Sequence, residues 1–465
     1  MRHFKPLLLI LAFLLPLVLF AQPVFAFCGF YVAKADSSLY NQASQVVIAR
    51  DGDRTVLTMA NDYQGEVKDF ALVVPVPVVL QEDQVNVGER TIIERLDGFS
   101  APRLVEYFDS NPCETYRRDM FLEAMPAPAS ATAELGQKVS NDALGVTIEN
   151  QFSVGEYDIL ILSAKESNGL ETWLTQNGYQ IPRGANQVLG AYIKQGLKFF
   201  VAKVNLKEFD RQGFQSLRPL MMAYESPKFM LPIRLGMVNA QGPQELIVYL
   251  LSPNGAAEIT NYRTEKIPSN VEIPEFVQRE FNGFYTAMFD NAYRRSGQNV
   301  AFLEYAWNMA NCDPCAADPL SPAELKQAGV FWLGDDQGSS SPSAPLFRGM
   351  PLPTSNVFIT RLHLRYTPDK FPEDLRFQPT ANQSLFQGRY VMRHPYRGEM
   401  NCEAAVSYRQ TTRQRQQQEA KTLANLTGWP LAEIDQKIDY LESIKDPIPW
   451  WRKLWPQSMS WFKFP

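Results

Sequence analysis

Hydrophobic and polar residues alternate over short stretches in much of the chain, the period of a strand with one buried face. Cys28 to Ala35 reads as a first strand, and Gln45 to Arg50 and Thr55 to Met59 flank Asp51-Gly52, a dipeptide that accepts the positive φ of a tight hairpin. Phe70 to Leu80 follows as a strand whose Pro75 and Pro77 assign it to an edge or a bulge, because proline cannot donate to a ladder. Further strands are predicted at Tyr157 to Ser163, Lys198 to Leu206, Val300 to Met309, Val357 to Tyr366 and Phe386 to Met392. An antiparallel series with turns at Asn239 to Pro243 and Ser252 to Gly255 is predicted over Phe229 to Ile267.

Helical spacing is sparser. Val277, Phe281, Phe284, Tyr285, Met288 and Phe289 recur on one face between Pro274 and Arg295, which predicts one long amphipathic helix. Shorter helices are expected at Pro102 to Phe108, at Leu170 to Gln176 before Asn177-Gly178, and at Ala185 to Lys194 before Gly196. Two closing helices are expected at Arg409 to Leu426 and Leu431 to Ile444. The polar, small-residue stretches near 124–143 and at 334–345 cannot build a core and read as a mobile insertion and a linker. The expected fold is therefore α+β: a mainly antiparallel, sandwich-like β-rich core over 27–333, a β extension over 346–408, peripheral helices, and a helical, Trp-rich tail over 409–465.

The first 26 residues change the picture of where this core resides. Arg2 and Lys5 precede the apolar run Leu7 to Phe20, and Val24-Phe25-Ala26 supplies a cleavage site, so residues 1–26 read as a secretory signal. An uncleaved anchor is the alternative; Pro16, Pro23 and the cleavage motif argue against it. The mature chain is expected to be exported: periplasmic, extracellular or peripherally envelope-associated, without a transmembrane helix. Residues 1–26 hold two bases and no acid, so their loss takes the net charge from −5 to −7, a balance that excludes general nucleic-acid binding. Only His363 and His394 of three histidines survive processing, too few for a multi-histidine metal centre, and no metal or other cofactor is assigned.

The blocks CGFYVAKAD, VVIARDGDRTVLTMANDYQG, VVPVPV, LVEYFDSNPCE, YDILILSAKESNGLETWLTQNGY, ESPKFMLPIRLG, FLEYAWNMANCDPCAADPLSP and FPEDLRFQ…FQGRYVMRHP together resemble the bacterial Domain of Unknown Function 2330 family, over about residues 27 to 408. The resemblance agrees with export and implies no activity. It carries over Cys28, Cys113, Cys312, Cys315 and Cys402 without fixing their roles.

Three groups of residues carry candidate chemistry. The five cysteines of an exported chain are disulfide candidates, and Cys312-x-x-Cys315 is either part of a structural bond or a thiol-disulfide centre. Arg361, His363 and Arg365 alternate on one face of a predicted strand about 7 Å apart, a possible site for an anionic polymer such as an envelope glycan, or simply a solvated face. Trp450, Trp451, Trp455 and Trp461 are half of the chain's eight tryptophans and lie among Arg452, Lys453 and Lys463. That composition suits a membrane or partner contact, and equally a tail docked on its own domain. The chain contains no G-x-S-x-G, P-loop, H-E-x-x-H or dinucleotide fingerprint. The reading that results is a structural or binding module of the envelope; the alternative is a periplasmic enzyme, either a thiol oxidoreductase through Cys312 and Cys315 or a carboxylate-based hydrolase.

Overall fold

A computed structural model describes residues 30–33, 40–64, 70–114, 146–177, 184–212, 217–238, 240, 242–311, 318–334 and 356–442. The fold is α+β with a β-rich, largely antiparallel core. It divides into two compact units that interleave along the chain. The first comprises Met1–Ala101, Pro128–Glu265 and Gln298–Phe386, and the second Pro102–Ala127, Lys266–Gly297 and Gln387–Pro465. Most of the predicted insertion and linker lies outside the described residues.

The largest sheet of the first unit is built on β1 (Tyr40–Asp51), β2 (Arg54–Gln64), β3 (Gln244–Ser252), β4 (Val300–Asn308) and β5 (Phe358–Tyr366). Its order is β4-β5-β3-β1-β2, continuing through Leu220–Glu225 to Val85–Val87. All of these pairs are antiparallel except β3 with β1. The β1–β2 hairpin turns at Gly52 with φ +55°, as its Asp-Gly requires.

Alternation sorts the side chains of this sheet into two cores. Val46, Ile48, Leu246, Val248, Leu362 and Leu364 pack with Leu72, Val74, Ile159, Ile161, Phe200 and Ala202 of a second, five-stranded sheet. Val47, Ala49, Tyr249, Leu251 and Ile359 face the other way, onto Ile92, Ile93, Leu96 and Phe99 of helix α1 (Arg90–Ser100). The far side of the five-stranded sheet is covered by Leu170, Leu174, Leu189 and Tyr192 from helices Ser167–Gln176 and Ala185–Lys194. Two sheets thus lie face to face with helices outside them.

The strand holding Pro75 spans Phe70–Val76 and is internal over its first half, between Phe30–Ala33 and Lys198–Val204. Among the described residues its pairing with Phe30–Ala33 ends at Val73, and Pro75 pairs with Phe199 of Lys198–Val204. Pro102 to Phe108 is not the expected helix: Arg103–Phe108 is a strand paired in parallel with Arg389–His394, and the helix lies before it, as α1. Pairing with a strand nearly 300 residues away outweighs the local pattern.

The second unit is a small parallel sheet, ordered Val271–Glu272, Arg389–His394, Arg103–Phe108. Its helices are α2 (Phe281–Arg295), α3 (Ala404–Thr427) and a short one at Leu431–Lys437, which stops well before Ile444. The predicted helix from Pro274 begins instead as a 3-10 turn, Glu275–Glu280. Tyr390 is buried against α2, edge-on to Phe284 at 4.8 Å, and Asn291 ties α2 to the carbonyls of Asn425 and Leu426 on α3. A disulfide joins Cys113 to Cys402, 289 residues apart in sequence, and so closes the unit covalently.

Candidate functional site

The row Arg361, His363 and Arg365 lies on the α1 face of β5, as strand alternation dictates, but the space an external anion would fill is taken by the protein's own carboxylates. Glu245 on β3 stands opposite Arg365, and Tyr249 opposite Arg361. On β4 the register slips between Leu303 and Tyr305, and the extra residue of this bulge is Glu304, with no solvent exposure. The slip puts Leu303 against the sheet–sheet core and Tyr305, two residues on, against the helix side.

A continuous chain of alternating charges results. Asp97 of α1 accepts from Arg361 Nη1 at 2.7 Å, and Arg361 Nε donates to Glu304 at 2.6 Å. Glu304 and Glu245 each lie 2.9 Å from a ring nitrogen of His363, and Arg365 Nε closes the row on Glu245. Both ring nitrogens can donate only in the imidazolium form. Burial pulls the His363 pKa down, but Glu304 and Glu245 together push it up to about 9. For Glu245, burial is outweighed by His363 and Arg365, which hold it below the usual carboxylate value. Tyr249 donates to Asp97 at 2.8 Å and accepts from Gln45. Three cations meet three carboxylates, so the row is electroneutral and cross-links β3, β4, β5 and α1.

Another buried carboxyl of the first unit, Asp374, is equally engaged. It accepts from Tyr192 Oη at 2.6 Å and from the backbone N–H groups of Ile233 and Arg234.

The second unit contains a different arrangement. His394 is again placed between two glutamates, Glu106 at 2.9 Å and Glu275 at 3.1 Å, but this trio is partly exposed. Arg393 binds Glu272 at 2.8 Å, Arg397 reaches Glu275 and Asp439, and Asp109 accepts from Tyr408 and Arg415. Beside these pairs lies a cavity of about 290 Å³, lined by Val271, Glu272, Arg415, Gln418, Glu419 and Thr422.

Four of these residues come from α3 at positions i, i+3, i+4 and i+7, a single helical face. That face would ordinarily be apolar, yet α3 turns Thr412, Gln416 and Glu419 inward along with Ala420 and Leu423. Glu419 is the only acid in the 24 residues of α3 and is 4% exposed. Its Oε1 makes no hydrogen bond among the described residues and forms an ion pair with Arg415 Nε at 3.3 Å. Burial raises the Glu419 pKa, Arg415 opposes this, and Glu272, Glu275 and Asp109 reinforce it, leaving the carboxyl at about 7. It is therefore half-protonated near neutral pH, a state suited to exchanging a proton or accepting a donor.

Of the cysteines, Cys113 and Cys402 form the disulfide, whereas Cys28, Cys312 and Cys315 lie outside the described residues, as do Trp450, Trp451, Trp455 and Trp461. No helix among the described residues is long and apolar enough to cross a membrane, and none of their side-chain clusters has three residues placed to hold a metal. The sequence reading missed Glu419. Its signal was a lone acid in a helix rich in arginine and glutamine.

Fold and cavity together define an α+β protein with a small pocket, bordered by Glu272, Arg415 and Glu419, in a disulfide-linked unit. The chain belongs to the family described as "Uncharacterized protein conserved in bacteria (DUF2330)", which matches residues 22–378. Glu272 falls inside the matched stretch, and α3 lies beyond it. Comparison with curated proteins and with solved structures gives no match.

Proposed function

We propose that the protein is an exported binding module of the bacterial envelope, and that it receives a small polar ligand in the cavity between Val271–Glu272 and α3. The observation that carries this reading is the cavity itself, about 290 Å³, with Glu272, Arg415 and Glu419 in its lining. Export is supported by the signal-like residues 1–26 and by a disulfide, which persists in oxidising compartments. Glu419→Gln should weaken binding of any ligand that moves the Gln418 and Thr422 resonances in a small-molecule screen. Ligands bound equally by the variant would refute the role of the carboxyl. Mass spectrometry of the mature chain and cell fractionation test export: an N-terminus at Phe27 in the envelope or medium is expected, and an intact Met1 in the cytosol refutes it.

In this reading the tryptophans of the tail make the membrane or partner contact. Truncation after Asp446 should then abolish sedimentation with liposomes and leave the melting temperature unchanged; a lower melting temperature in a protein that never bound liposomes would mean a self-docked tail.

A second reading rests on one observation: Glu419, near neutrality, shares its cavity with Glu272, which is held by Arg393. Two carboxyls in unlike environments can serve as acid and base. Turnover of glycoside or ester substrates, lost in Glu419→Gln, would favour a carboxylate-based hydrolase over a binding module.

A further inference from the structure

We propose that the second unit carries a site for a methylated ammonium ion, built by Phe276, Glu280 and Trp429 and occupied in this structure by the protein's own Lys437. None of these residues lines the cavity described above. Lys437 Nζ donates to both oxygens of Glu280, at 2.9 and 2.7 Å. The same nitrogen lies 5.3 Å from the centroid of the Phe276 ring and 5.8 Å from that of Trp429. A cation within about 6 Å of an aromatic face is attracted by the negative side of the ring quadrupole. Two rings and a carboxylate around one ammonium make a cage for an organic cation, and the group that fills it shows the chemistry it accepts.

The walls of the cage are fixed by elements that do not depend on Lys437. Phe276 and Glu280 stand four residues apart on the 3-10 turn Glu275–Glu280, which is anchored by the fully buried Val277. Trp429 follows Gly428, whose φ of +76° ends α3, and its backbone N–H donates to Thr427 Oγ1. Lys437 is the last residue of the short helix Leu431–Lys437. Its side chain is 46% exposed and that of Glu280 40%, so water screens the pair and the contact exchanges readily. The short helix has a separate anchor in the buried Ile434, and the lysine side chain can leave the cage while the helix stays in place.

The class of ligand follows from what the walls offer. A lysine ammonium is a compact, strongly hydrated charge, and N–H donors direct it to Glu280. A quaternary ammonium has no N–H to satisfy. Its methyl groups carry the charge to both ring faces at once, and Glu280 supplies the countercharge. A neutral molecule of the same shape gains the ring contacts without the electrostatic attraction, and an anion is repelled by Glu280. Lys437 is therefore a tethered competitor, an internal occupant that a methylated ammonium displaces. The exchange breaks no covalent bond and moves no proton.

The test uses the full mature chain and reads the indole N–H resonance of Trp429, assigned by its loss in Trp429→Phe. Choline should move this resonance in Lys437→Ala, and should bind the variant about tenfold more tightly than the wild type, in which the lysine competes. The wild type should show the same shift at correspondingly higher choline, so the result does not depend on the variant alone. The neutral isostere 3,3-dimethyl-1-butanol should bind at least about tenfold more weakly than choline, and Glu280→Gln in the Lys437→Ala background should reduce that preference. Vesicles separate the sources of the cation: a shift with phosphatidylcholine but not phosphatidylglycerol vesicles, and none with free choline, would place the ammonium on a lipid headgroup. If neither choline nor phosphatidylcholine vesicles move the Trp429 resonance in Lys437→Ala, the site is overturned. Equal binding of the neutral isostere would overturn the cation class, and equal choline affinity in wild type and Lys437→Ala would overturn the role of the lysine. The cavity reading is tested separately, at Gln418 and Thr422.

Discussion

His363 and His394 each sit between two glutamates, and the two settings differ in the balance of charge around them. In the first unit the row Asp97, Arg361, Glu304, His363, Glu245, Arg365 alternates in sign and is bonded throughout. In the second, Glu275 pairs with Arg397 and Glu272 with Arg393, while the buried Glu419 shares Arg415 with Asp109. A balanced buried row holds elements together and offers nothing to a ligand. An unbalanced one leaves a buried carboxyl whose charge a proton can remove.

The largest effect should come from unbalancing the first row. Glu304→Ala strands Arg361 and His363 in the interior and should destabilise the protein by about 3–5 kcal/mol in denaturant unfolding. The row also sets a pH window. His363 is raised in the folded state, so its contribution is fully present below its unfolded value near 6.5 and is lost as pH rises through about 9. Glu245 is depressed, so its contribution is present above about 4.5 and is lost as pH falls. His363→Gln should remove the alkaline loss of stability between about 6.5 and 9 from the melting curves.

Next in size is the disulfide. Replacing Cys113 and Cys402 with alanine should cost about 2–5 kcal/mol, because the reduced chain regains the freedom of a long open loop when unfolded. Hydrogen exchange should locate the loss in Arg389–His394 and α3, with β3 and β5 unaffected; equal loss in β3 and β5 would contradict the separation into two units.

The smallest change has the opposite sign. Glu419 is raised when folded, so its protonated form stabilises below about 4.5 and that stabilisation is lost as pH rises through about 7. Glu419→Gln mimics the protonated carboxyl at every pH. It should match the wild type in acid and exceed it in mild base by up to roughly 3 kcal/mol.

The contrast was only half legible in the sequence. Alternation placed Arg361, His363 and Arg365 correctly on one face, but their partners come from β3 and from a one-residue bulge in β4, and no local pattern announces that Glu304 turns toward His363. The hairpin at Gly52, the strand Tyr157–Ala164 and the helix Ala185–Lys194 were readable because their signals are local. Arg103–Phe108 was not, since its strand state depends on pairing with Arg389–His394. Nor was Glu419: a polar face on α3 looks solvated until the short strand at Val271 and its neighbours are seen to cover it.

The central claim is that Glu419 is a buried, near-neutral carboxyl, and a carbon-13 NMR titration of glutamate side chains, assigned by difference against Glu419→Gln, tests it most directly. The account predicts a resonance missing from the variant that titrates with a midpoint at about 7. A midpoint near the ordinary 4.5 would contradict it.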